Sequence, residues 1–155
     1  MSVEIEWPLA CGPEAVWRHL TDMRSLHEWL GVPLRVDVRV EGVVEIDHGD
    51  GAVCVSRVLA CDPELRHLKV TWEFPEEPES VLSVSVGAGA TDSSDESSAL
   101  LLRHDGLGVL VDEYRDGWRT HLTYFAASLA GEPLAMREFW NVHEQLVEQG
   151  SHGRD

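Results

Sequence analysis

The segment from His104 to Leu129, HDGLGVLVDEYRDGWRTHLTYFAASL, constrains the fold more than any other part of the chain. It runs from the end of a strand through a Gly-rich corner into an amphipathic helix. After Leu110, apolar residues recur at Val111, Tyr114, Trp118, Leu122, Phe125 and Leu129, in steps of three and four that place them on one helical stripe. A face of that width has to be buried. Nearly everything from Leu34 to His104 reads as strand, so the natural partner is a curved antiparallel sheet wrapped around the helix. A sheet closing on a helix in this way encloses a pocket.

The remaining elements follow from periodicity and turn chemistry. Val3, Ile5 and Trp7 alternate with polar neighbours, so Ser2 to Leu9 is a first strand whose pairing Pro8 ends. Gly12 and Pro13 open a helix that buries Val16, Trp17 and Leu20. Asp22 is an N-cap candidate for a second short helix with Met23, Leu26, Trp29 and Leu30, and Gly31 supplies its stop. The period then changes to two at Leu34, Val36, Val38 and Val40, and again at Val44 and Ile46 beyond a bend at Gly42. Ala52 to Ala60 makes the next strand. His67 to Phe74 alternates most cleanly, with Leu68, Val70, Trp72 and Phe74 on one face. Ser80 to Val86 and Ser98 to His104 form a hairpin whose loop, GAGATDSSDESS, is expected to be mobile and solvated. After Gly131, Glu132 and Pro133, helical spacing resumes through Met136, Phe139, Trp140, His143 and Val147. The expected organisation is one domain over 1–131, an additional helix over 132–149 and a disordered tail over 150–155. Phe139 and Trp140 are expected to be buried against the parent domain or a second copy of it, with intrachain docking favoured over a homodimer.

Composition narrows the function classes. A chain of 155 residues supports one core without metals or disulfides. Its net charge of -16 argues against nucleic acid and anionic membranes, since twelve scattered Lys and Arg cannot form the basic patch either would need. Cys54 and Cys61 fall on one strand, where seven residues at about 3.3 Å each hold them roughly 23 Å apart. With reduced thiols, no long apolar run and an N-terminus that alternates like a strand, the chain is expected to be cytoplasmic and to lack a membrane span. No HxxxH, HxH or CxxC spacing points to a metal, and no GxSxG or Gly-rich phosphate loop points to a nucleophile or nucleotide. No cofactor is expected.

Several short motifs in order resemble a known family. Pro13-Glu14-Ala15-Val16-Trp17, Leu20-Thr21-Asp22 and Trp29-Leu30-Gly31 resemble the opening of the START-like, or SRPBCC, superfamily. Thr71-Trp72-Glu73-Phe74, His104-Asp105-Gly106-Leu107 and Gly117-Trp118 are similar to its branch named for the activator of heat-shock protein 90 ATPase. The resemblance covers Ser2 to about Gly131. It implies an α+β helix-grip fold, in a superfamily that includes lipid carriers, hormone receptors, and aromatase and cyclase enzymes.

Five residues are candidates for lining the pocket between sheet and helix: Trp72, His104, Tyr114, Trp118 and His121. The aromatic residues offer apolar bodies with one hydrogen-bonding tip, which suits a small apolar or aromatic ligand. His121, on the margin of the helical stripe, would be a titratable group in an apolar pocket if it faced inward, and a solvent-touching flank residue if it did not. Three readings follow: a small-molecule binding module, a cyclase- or hydrolase-type enzyme using His121 or His104 as general acid/base with Tyr114 as a donor, and a chaperone-associated interaction module.

Overall fold

The computed structural model describes residues 2–89 and 97–152. Seven strands, β1 (Val3–Leu9), β2 (Val32–Val36), β3 (Val43–Asp47), β4 (Val53–Asp62), β5 (His67–Trp72), β6 (Ser80–Ala88) and β7 (Ser98–Asp105), pair antiparallel in one curved sheet. The order is β1-β7-β6-β5-β4-β3-β2, a meander from β2 to β7 with β1 added beside β7. Two short helices, α1 (Pro13–Thr21) and α2 (Leu26–Trp29), connect β1 to β2 at opposite edges of the sheet. The long helix α3 (Val111–Leu129) follows β7, and α4 (Phe139–His152) packs on α3. This is the expected helix-grip arrangement.

Alternation along the central strands builds the core. Leu82, Val84 and Val86 of β6 and Leu100, Leu102 and His104 of β7 are buried, while Ser83, Ser85, Leu101 and Arg103 turn away. Facing them, α3 buries Trp118, Leu122 and Phe125 from its predicted stripe. Each such side chain contributes roughly 1.5–3 kcal/mol by leaving water. Gly106, at a positive φ of 88°, turns the chain out of β7 toward α3, a backbone conformation that glycine adopts without strain.

Several local expectations are corrected. Pro8 does not end β1, because it pairs opposite Ala99 and the strand continues to a buried Leu9; β1 is an edge strand, where a missing N–H is tolerated. Asp22 does not cap α2. Its carboxylate accepts from the Arg24 backbone N–H, and the helix begins three residues after Met23, at Leu26. The register of β2 shifts between Pro33 and Arg35, so Leu34 is exposed instead of facing the core. Gly31 is required for proximity more than for its conformation: a Cβ there would lie 2.7 Å from the Asp47 carbonyl oxygen.

The long helix buries more than its stripe, since Thr120, Tyr124 and Ser128 are also buried. The added coverage comes partly from the C-terminal segment. Tyr124 Oη donates to the Ala135 carbonyl, His143 Nδ1 bonds Thr120 Oγ1, and Phe139 packs on Tyr124. Phe139 is buried as expected, but Trp140 is 66% exposed in the single chain, because residues adjacent on a helix cannot both face α3. The helix itself runs to His152, three residues past the expected end. Most of the acidic hairpin loop, residues 90–96, and the last three residues of the tail lie outside the described part.

Candidate ligand cavity

Beneath α3, the inner face of the sheet does not meet the helices everywhere, and a cavity of about 90 Å³ remains. Its floor is the inward positions of β3 to β7, among them Ile46, Cys54, Val70, Leu82, Val84 and Leu100. Its roof is Leu26, Trp29 and Leu30 from the α2 region with Trp118 and Leu122 from α3. Leu20, Thr21, Val36, Val38 and Leu68 are only half-buried and mark the side nearest solvent. The walls are almost wholly apolar because each strand contributes alternate Val, Leu and Ile residues. Cys54 is their one thiol, and burial pushes it up to about 12, so it stays protonated and inert at neutral pH.

Of the five candidate residues, Trp72 and Trp118 line this cavity, whereas His104, Tyr114 and His121 do not. The other three sit behind the two tryptophans in a polar-aromatic layer. Trp118 Nε1 donates to His104 Nδ1 at 3.0 Å, which leaves the proton of the neutral imidazole on Nε2 for its 2.7 Å bond to Ser80 Oγ. Ser80 Oγ in turn lies 3.3 Å from the Trp72 carbonyl oxygen as a donor. Burial holds His104 down to about 4, despite the opposing influence of Asp105. Both of its nitrogens are engaged, so His104 ties β5, β6, β7 and α3 together and has no free nitrogen for acid–base work.

Tyr114 is engaged in the same way. It accepts from Trp72 Nε1 at 3.2 Å and donates to the Glu77 carboxylate, and burial followed by that bond raises its pKa. His121 donates from Nδ1 to the Trp29 carbonyl at 2.8 Å, linking α3 to α2. Its ring packs against Trp118, Phe139 and His48, and burial pushes its pKa down to about 3. His48 stands beside Trp72 and Phe74 and is likewise lowered to about 4, chiefly by burial. Three imidazoles are thus held neutral behind the cavity wall. Among the described residues, no group of three or more His, Cys, Asp or Glu is arranged to hold a metal ion.

A family model described as activator of Hsp90 ATPase homolog 1-like protein matches residues 10–130. The chain belongs to this family. In the activator-of-Hsp90-ATPase-homologue-like domain so defined, the matched stretch contains every lining residue of the cavity and stops before α4. No curated protein matches the sequence, but solved structures share the fold. CalU16 from Micromonospora echinospora superposes with a TM-score of 0.74 at 21% identity, covering 96% of this chain and 84% of that one. DynU16, a protein of the dynemicin biosynthetic locus, gives 0.73 at 23% identity over 85% of this chain and 48% of its own. Protein CV1439 from Chromobacterium violaceum gives 0.68 at 21% identity, with 86% and 98% covered. No described helix is long and apolar enough to cross a membrane.

The alternation of the strands marks most of the floor in advance. It does not single out Trp29. A Trp on a four-residue helix reads as ordinary core until its neighbours across the fold are known.

Proposed function

We propose that the protein binds a small, uncharged apolar or aromatic molecule in the cavity between α2, the sheet and α3. The observation that carries this reading is a continuous apolar cavity walled by both tryptophan and aliphatic side chains, the composition of a small-molecule pocket. Members of this superfamily commonly hold hydrophobic ligands, which supports the reading without specifying the molecule. At about 90 Å³ the space is smaller than the roughly 150 Å³ of a buried cavity known to take up benzene, so a ligand has to enlarge it. The half-buried side formed by Leu20, Val36 and Val38 is the side with least packing to displace.

The enzymatic alternative has less support. His104 and Tyr114 are saturated by protein partners, and neither they nor His121 line the cavity. A general acid or base would need to reach a bound substrate directly. The binding reading is tested by thermal unfolding with a panel of benzene-sized probes. Ligand present at about a hundred times its Kd is expected to add about 2.7 kcal/mol of stability. A midpoint unmoved by every probe would exclude it.

A further inference from the structure

Polar groups in the cavity walls can be accounted for one by one. Thr21 Oγ1 donates to the Trp17 carbonyl, Ser56 Oγ lies 3.9 Å from Cys54 Sγ, Trp72 Nε1 donates to Tyr114 and Trp118 Nε1 donates to His104. Trp29 differs from the other two tryptophans. The residue is 5% exposed and lines the cavity, and its Nε1 is buried without a hydrogen-bond partner, closed off from the free space until a ligand enlarges it. Two other buried polar atoms share that condition among the described residues, His48 Nε2 and Ser98 Oγ, but neither residue lines the cavity.

We propose that the indole N–H of Trp29 is the polar anchor of the cavity, and that the ligand is a neutral apolar ring or chain bearing one hydrogen-bond acceptor, such as a ketone or ester carbonyl. The proposal rests on the binding reading above and specifies its ligand. A buried donor without a partner is costly, and an acceptor on the ligand would satisfy it. The indole is held in place before any ligand arrives. The Trp29 carbonyl accepts from His121, and its ring packs edge-on to Phe125 with centroids 4.9 Å apart. Such preorganisation reduces the cost of ordering on binding. A carboxylate does not fit, because one neutral donor in an otherwise apolar space cannot replace the hydration of a charge.

The test is a titration followed by the indole N–H signals in NMR, using acetophenone and α-methylstyrene, which share a shape but differ in having O or CH2 at one position. The Trp29 signal is identified by side-chain resonance assignment of the wild-type protein. In the wild-type protein acetophenone is expected to bind roughly 3- to 10-fold more tightly and to shift the Trp29 signal, as one net hydrogen bond allows. Trp29→Phe keeps an aromatic ring but no donor, and is expected to lose the preference for acetophenone, binding α-methylstyrene at least as tightly. Equal affinities in the wild type, or a preference that survives in Trp29→Phe, would overturn the anchor and leave the cavity reading standing. Neither probe binding the wild type would overturn both. Should Trp29→Phe not fold, the wild-type preference together with the moving indole signal decides the matter.

Discussion

His104 shows how a residue of apparent chemical promise becomes structural. Its two nitrogens join Trp118 on the helix to Ser80 on the sheet, and the side chain is wholly buried. The folded protein therefore keeps it neutral down to about pH 4, whereas in the unfolded chain an ordinary histidine takes up its proton near pH 6.5. Between those values the unfolded state binds more protons, so stability is lost as pH falls from about 6.5 toward 4. His104→Asn retains an acceptor for Trp118 but loses the bond to Ser80, and is expected to cost about 1–3 kcal/mol at pH 7.5. Lacking the titration, the variant should fall less steeply with acid. Urea unfolding of both proteins from pH 7.5 to 4.5 should therefore show the gap between them shrinking, and a constant gap would refute the lowered pKa that burial gives His104. His48 and His121 titrate in both proteins and cancel in the comparison.

At the scale of elements, α4 is the part that family membership does not cover and the sequence pattern only half describes. Its spacing announces a helix, but periodicity alone cannot say which of Phe139 and Trp140 meets α3. The answer depends on His121, Tyr124 and Thr120, which are presented by another element. Similar reasons explain the other departures. The outward turn of Leu34 comes from a bulge, and the tolerance of Pro8 from edge position; both are properties of pairing that one strand's sequence does not contain. Ending the chain after Gly131 would uncover Tyr124 and the His121 ring and remove the buried Phe139. The expected product is a monomer that is less stable by about 2 kcal/mol or more, the burial value of one large aromatic. Light scattering with thermal unfolding checks it. A full-length dimer that becomes monomeric on truncation would instead make exposed Trp140 part of an interface, and an equally stable monomer would show that α4 contributes nothing to the domain.

For the whole molecule, the order of strands and helices was legible in the sequence because each core strand alternates and α3 carries one apolar stripe. The candidate site was legible only in part. Trp72 and Trp118 belong to the strongest periodic segments and do face the cavity, while His104, Tyr114 and His121 find protein partners that only the folded arrangement brings near them. Trp29 reads in the sequence as an ordinary buried residue of a short helix, because its distinguishing property is an absent partner. The fold as a whole places an apolar space beneath its longest helix and backs two of its tryptophans, Trp72 and Trp118, with hydrogen-bonded partners. Whether that space accepts a guest is the central claim, and diffraction from crystals equilibrated with toluene tests it most directly. Toluene density is expected between Trp29, Trp72, Trp118 and Leu100, with α2 and β2 displaced outward to make room. A refined structure at saturating toluene that shows no density there, and side chains unmoved, would contradict it.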